Sequence, residues 1–194
     1  VDERQLVERV QNGDSQAFEL LLRLHHRAVY GMAYRFMNDH GAADDVVQDS
    51  FVKAFHAIGS FRGDSSFKSW LLRIAMNTAK NALRARGRKE SVDIDELEIG
   101  SEHTDFRKLE QLQTAELLKT CVEKLPLRQR QALELRIYED MSFQEVADVM
   151  ECPFDTAKAN FRHALLNLKK LLAGVNNGRA IEELRLAFEQ MEEV

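Results

Sequence analysis

Between two stretches of sustained helical periodicity lies GRKESVDIDELEIGSEHTDFRK, residues 87–108, where apolar residues keep no period and acidic ones dominate. Such a segment buries too little surface to offset the entropy of ordering it. A single core therefore cannot run through all 194 residues. The chain is expected to form two small domains joined by a flexible acidic linker: residues 1–88, the linker 89–112, the second domain 113–174 and a helical tail at 175–194. With only 2 prolines and 9 glycines to break them, the periodic stretches read as long helices, so the fold class is all-α.

The helices follow from spacing and punctuation. A short one over Asp2 to Gln11 ends at Asn12-Gly13, and Asp14 or Ser15 caps the next, whose apolar side carries Phe18, Leu21, Leu22, Val29, Met32, Ala33 and Phe36. Gly41 is expected to interrupt it. A third helix, Ala42 to Ile58, turns Val46, Val47, Phe51, Ala54, Phe55 and Ile58 inward and leaves Asp44, Asp45, Gln48, Asp49 and Lys53 free. GSFRGDSS then forms a loop, and Phe67, Trp70, Leu71, Ile74, Ala75 and Leu83 mark a fourth helix ending near Arg86-Gly87. The lone Trp70 belongs to that apolar pattern and reads as core.

Net charge is −5, but its distribution matters more. Residues 1–61 carry a net −3, residues 62–89 a net +7 and residues 90–112 a net −6. A strongly basic segment inside an acidic protein points to a local nucleic-acid surface, because phosphate binding relies on clustered Lys and Arg.

In the second half, helices run from Leu109 to Leu125 and, restarted by Pro126, to Asp140. Ser142 and Glu145 form the S-x-x-E pattern of a capping box ahead of a short helix through Met150. Glu151-Cys152-Pro153 breaks it, and FDTAKANFRHALLNLKKLL follows with Ala157, Phe161, Ala164, Leu165, Leu168, Leu171 and Leu172 at helical spacing. A short helix, a tight turn and an amphipathic helix make a helix-turn-helix. In that motif the first turns of the second helix reach base edges, which singles out Asp155, Thr156, Lys158, Ala159, Asn160, Arg162 and His163.

The motifs D-V-V-Q-D-x-F-x-K-A-F, S-F-R-G-D-S-S-F-x-S-W-L and L-P-x-R-Q-R followed by S-F-Q-E-V-A occur in order, and together they carry a family likeness. The stretch from GDSQAFELLL to ARGRK resembles region 2 of the extracytoplasmic-function (group 4) σ factors of the σ70 superfamily, and that from LPLRQRQALE to LNLKKLL resembles their region 4. The resemblance implies docking of the third helix, through Asp45, Gln48, Asp49 and Lys53, on the coiled coil of the clamp of the β′ subunit of core RNA polymerase. It implies capture of the promoter −10 element by Phe61, Arg62, Gly63, Asp64, Ser65, Ser66 and Phe67 with Arg73, Asn77, Lys80, Asn81, Arg84 and Arg88. It implies −35 recognition by Thr156, Lys158, Asn160, Arg162 and His163, contact of region 4 with the β flap, and control by an anti-sigma factor. The acidic linker would thread the channel later used by exiting RNA.

One departure stands out. Relatives typically read G-T-V-K-S-R and then R-A where this chain has Asp155-Thr156-Ala157-Lys158-Ala159-Asn160 and then His163-Ala164. Two basic groups are missing, so phosphate neutralisation should be weaker and base preference different. No nucleophile paired with a base, phosphate-cradling glycine loop or metal-ligand spacing is present, so neither an enzyme nor a cofactor, metal or small-molecule substrate is expected. His25 and His26 are neighbours and diverge around their helix, which fits one solvated and one half-buried ring better than a metal pair. Cys121 and Cys152 read as unpaired thiols of a reducing compartment, and the charged first segment and lack of long apolar runs predict a cytoplasmic protein. The rival reading is a stand-alone helix-turn-helix regulator binding palindromic duplex DNA.

Overall fold

The computed structural model describes residues 2–89 and 116–173, which fall into two compact helical units. The expected acidic linker and C-terminal tail lie outside the described residues. The first unit holds α1 (Glu3–Gln11), α2 (Ser15–Met37), α3 (His40–Ala57), a single 3-10 turn (Ile58–Ser60) and α4 (Phe67–Lys89). The second holds α5 (residues 116–123), α6 (Leu127–Ile137), most of α7 (Phe143–Met150) and α8 (Phe154–Ala173). No strand occurs among the described residues.

Each junction in the first unit has a local cause. After α1, Gly13 takes φ +94° and lets the amide of Asp14 return to the carbonyl of Arg9 at 3.0 Å, closing the helix. Asp14 then caps α2, accepting from the amides of Gln16 and Ala17 at 3.0 and 3.2 Å. The Arg9 guanidinium bonded to it, with help from the Ala17 amide, holds its carboxyl below the usual carboxylate range. The break after α2 does not fall at Gly41, as its backbone freedom predicts. Asn38 takes the left-handed conformation at φ 49°, and Asp39 accepts from the Ala42 amide at 2.7 Å, so α3 starts at His40 with Gly41 inside it. Asparagine tolerates the left-handed region and aspartate is a strong cap, and together they outweigh the glycine.

The core of this unit is built around α2, which packs on α1, α3 and α4. Leu21, Val29, Met32 and Ala33 of α2, Val46 and Ala54 of α3 and Leu71, Leu72, Ala75 and Met76 of α4 are all essentially inaccessible to solvent. Replacing Leu71 with Ala leaves a cavity at the centre of the bundle and should cost about 2–5 kcal/mol. Chemical denaturation followed by circular dichroism measures it.

In the second unit α6 packs along α8, burying Ala132, Leu133 and Leu135 against Ala164, Leu165, Leu168 and Leu172. Within α6, burial draws the Arg130 guanidinium below its ordinary value, and Glu134 one turn on and Glu123 oppose that. α6 stops at Ile137, three residues short of the expected Asp140, because Asp140 takes φ 53°. The capping box forms in full: the Ser142 amide donates to Glu145 Oε2 at 2.9 Å, and the Glu145 amide donates to Ser142 Oγ at 3.3 Å. Phe143 of α7 stands edge-on to Phe154 and Phe161 of α8, with centroids 6.4 and 5.4 Å away. Burial pushes the thiols of Cys121 and Cys152 up, and both cysteines are free.

The turn between α7 and α8 places Glu151 at φ 51° while the Cys152 amide closes on the Ala147 carbonyl at 3.0 Å. A side chain with a Cβ costs about 1–2 kcal/mol there. Glu151→Gly removes that strain and gives back about 0.4–1 kcal/mol through a freer unfolded chain. A net stabilisation of about 0.5–1 kcal/mol is expected, visible as a higher melting temperature in calorimetry.

Candidate nucleic-acid interface

The loop between the 3-10 turn and α4 sends its aromatic residues mostly inward. Phe67 is 4% exposed and Trp70 is 8% exposed, so both pack in the core, as the apolar pattern of the fourth helix implied, and Phe67 offers little surface of its own to the −10 group to which the resemblance assigns it. Phe61 is half-buried, its ring edge-on to Phe67 at 5.9 Å and 5.2 Å from Trp70. It is the loop's reachable aromatic. Arg62, Gly63, Asp64 and Ser66 are exposed, and Ser65 is half-buried. Gly63 at φ +77° requires the absence of a side chain, and Arg62 pairs with Asp64 at 2.9 Å across that tight bend. Ser66 accepts from the Ser69 amide at 3.1 Å and so starts α4. The loop faces α1 across an open cleft of about 630 Å³, and Gln11 of α1 donates to the carbonyls of Ile58 and Phe61, both at 2.9 Å.

Along α4, Arg73, Asn77, Lys80, Arg84 and Arg88 recur three or four residues apart, which lines them on one helix face. Arg73, Asn77 and Lys80 are half-buried at the stems, Arg84 is exposed, and the Arg88 side chain lies outside the described residues. Asn81 leaves this stripe. It lines a cleft of about 570 Å³ between α3 and α4 together with Asp45, Asp49, Lys53, Thr78 and Arg86. There Lys53 donates to Thr78 Oγ1 at 3.0 Å, fastening α3 to α4. Three of the four α3 residues singled out by sequence thus meet a residue assigned to the −10 group.

Gln48 points the other way, into an apolar groove of about 790 Å³ between α2 and α3. Phe18, Leu22, Val52 and Phe55 line it, with Asp44 and His26 among its polar residues. Phe55, expected in the core, is 45% exposed and rests edge-on against Phe18 at 5.0 Å. The apolar arc of α3 is wider than its neighbours cover, which its sequence already hinted at by continuing through Val52. The sequence reading also passed over a row of stacked rings, His26, Tyr30, Tyr34 and His40, in which the Tyr30 hydroxyl meets His40 Nδ1 at 2.7 Å. His25 is half-buried and His26 exposed, as their adjacency implied.

On α8, Thr156, Lys158, Arg162 and His163 are exposed and Asn160 is half-buried. The Asn160 amide donates to the Thr156 carbonyl one turn back at 2.8 Å. Lys158 Nζ lies 5.9 Å from the centre of the Phe143 ring, against which the Arg136 guanidinium also packs at 5.2 Å. Thr156, Arg162 and His163 are left as the outward groups without such a leaning. Among the described residues, no group of three His, Cys, Asp or Glu side chains is placed to hold a metal ion, and no helix is long and apolar enough to cross a membrane.

The first unit thus sets an acidic helix beside a basic one, and the second carries a helix-turn-helix. Residues 21–89 match the Sigma-70 region 2 family and residues 115–168 match the Sigma-70, region 4 family. The RNA polymerase sigma-H factor of Pseudomonas aeruginosa is 39% identical over 180 residues, covering 88% of this chain and 93% of that protein. The ECF RNA polymerase sigma-E factor of Escherichia coli K12 is 39% identical over 82% of this chain and 88% of its own length. The sigma factor RpoE of Bartonella quintana, solved with the anti-sigma factor NepR, superimposes with a TM-score of 0.65 at 27% identity, over 81% of this chain and 97% of that one. The chain belongs to the σ70 family, in its extracytoplasmic-function branch. As a σ factor it binds core RNA polymerase and directs promoter-specific transcription initiation.

The α8 geometry yields a test of the missing arginines. Restoring them by Asn160→Arg with His163→Arg should tighten binding to −35 duplex DNA and steepen the dependence of log affinity on log salt by about 1–2, one unit for each phosphate newly neutralised. Fluorescence anisotropy across a salt series measures both.

Proposed function

We propose that this σ factor works through three binding surfaces, the first two of them adjoining. Asp45, Gln48, Asp49 and Lys53 on α3 dock on the coiled coil of the polymerase β′ clamp. The loop of Phe61 to Phe67, with Arg73, Asn77, Lys80, Asn81, Arg84 and Arg88, captures the −10 element as single strand. Thr156, Lys158, Asn160, Arg162 and His163 read the −35 duplex, while the rest of the second domain leans on the β flap. The domains run over residues 1–88 and 113–174, with the acidic linker 89–112 between them. The chain acts in the cytoplasm by binding and not by catalysis. As the Bartonella protein is held by an anti-sigma factor, we infer an equivalent inhibitor here.

The single observation that carries this reading is the arrangement within the first unit: a stripe of cationic side chains on α4 leads directly from a glycine-bent loop, and carboxylates on the neighbouring α3 line a cleft with other residues of α4. Cations along a backbone track together with a reachable aromatic are what unpaired DNA requires. Carboxylates on a neighbouring helix suit a basic protein partner and repel phosphate, which keeps the two ligands on their own faces. A regulator that binds duplex DNA unaided has use for neither.

Run-off transcription with core polymerase and genomic promoter fragments tests the proposal. Promoter-dependent transcripts are expected from the native chain. Asp49→Arg should lower affinity for core polymerase at least ~10-fold, since a like charge set into a complementary interface costs several kcal/mol. Lys80→Ala with Arg84→Ala should leave core binding intact and abolish opening. Absence of transcripts, together with salt-sensitive binding of the protein alone to a palindromic duplex, would establish the stand-alone regulator instead.

A further inference from the structure

α4 is gripped unevenly along its length. Its N-terminal half is fixed by Leu71, Leu72, Ala75, Met76 and Ala79, all buried in the bundle. From Lys80 to Arg86 no residue is fully buried, and it is here that Lys80 and Arg84 of the cationic stripe stand. Polar bonds take over where the buried row gives out. Lys53 of α3 donates through Nζ to Thr78 Oγ1 at 3.0 Å, and Arg86 donates to the Met37 carbonyl at the end of α2 at 3.3 Å. Thr78 is 5% exposed, and its hydroxyl donates in turn to the Ile74 carbonyl at 2.9 Å, so its proton is committed and a lone pair is left for Lys53.

We propose that Lys53 is a positioning residue: bonded to Thr78, it sets the rotation of α4 about its own axis, and with it the direction in which Lys80 and Arg84 present their charges to promoter DNA. This rests on the reading of α4 as the −10 helix. Thr78 lies roughly a third of a turn around α4 from the cationic stripe, so holding one side fixes the other. A helix with its side chains is about 10–12 Å across, and a rotation of about 20° carries a group at its rim through about 2 Å. Binding groups have to be held within about 10–20° of their working geometry. Apolar packing defines that angle poorly where the residues are as small as Ala79, Ala82 and Ala85, which raise no ridge to lodge between the side chains of a neighbour. A directional hydrogen bond defines it well. Lys53 follows Asp49 and Asp45 at intervals of one turn along α3, and all three line the cleft against α4. The helix assigned to polymerase thereby steers the helix assigned to DNA.

The test uses holoenzyme assembled from full-length chain and saturating core polymerase. Its affinity for a single-stranded oligonucleotide carrying the −10 sequence of a promoter found by run-off transcription is measured across a salt series. Thr78→Val exchanges one neutral β-branched side chain for another and removes the acceptor while leaving every docking and DNA-facing group in place. The expected result is a loss of about 3–10-fold in affinity at physiological salt, the size of one hydrogen bond. The slope of log affinity against log salt should become shallower by about 0.7–1.4, as one or two phosphates of a single strand lose their cations. A neutral exchange that only loosened the fold would not move that slope. Core affinity and melting temperature should match the native chain, and Thr78→Ser should restore affinity and slope. Adding Lys53→Met to Thr78→Val should cost this affinity nothing further, because the two side chains act through one bond. An unchanged slope in Thr78→Val overturns the proposal, and so does a further loss in the double variant. If native holoenzyme binds a scrambled strand of equal length and composition as tightly as the −10 strand, the capture reading itself falls and the inference falls with it.

Discussion

Because α2 packs against three helices at once, it sets where every functional side chain of the first unit can stand. Its buried residues Val29, Met32 and Phe36 recur at three- and four-residue spacing, with Leu21 about two turns earlier on the same side, and bring α3 and α4 side by side. Side chains on the outward faces of α3 and α4 are then neighbours although some thirty residues separate them in sequence. The bond between Lys53 and Thr78 is a direct product of that packing, as is the cleft shared by Asp45, Asp49 and Asn81. Loosening α2 would disperse both surfaces together.

An acidic protein that binds nucleic acid has to keep its own carboxylates away from phosphate. The first unit does this by assigning charge to helices. α3 carries Asp44, Asp45 and Asp49, while α4 carries Arg73, Lys80 and Arg84 on a face of its own. Screening over roughly 8–10 Å at physiological salt allows the two faces to behave independently even on adjacent helices. The sign of the whole molecule therefore says little about its ligands, and the local field says much.

The second unit uses a familiar scaffold with altered contacts. Its capping box, its turn and the Phe143 cluster fix α8 against α7, yet the Asn160 amide is turned onto the carbonyl of Thr156 and Lys158 leans on an aromatic ring. Fewer cations therefore stand free at the front of α8 than the family pattern implies.

Much was legible in the sequence because helices are local. Periodicity located α2, α3, α4, α6 and α8, the S-x-x-E pattern announced the cap at Ser142, and the apolar register of Trp70 placed it in the core. Charge counting found the basic stretch before any motif was weighed. What spacing could not decide was how much of a helix its neighbours cover, since coverage depends on crossing positions far apart in the chain. Hence Phe55 stayed at the surface although its place in the apolar pattern of α3 implied the core. Nor could it show that Asn38 and Asp39, and not Gly41, divide α2 from α3, because that outcome weighs a cap against a glycine. By itself the sequence determined two helical units, their charges and a helix-turn-helix, all of which follow from interactions within a few residues. Only the tertiary structure decided that Gln11, about fifty residues from Phe61, holds the loop's backbone, because a side-chain bond to a main-chain carbonyl leaves no pattern in the identity of the residue that accepts it.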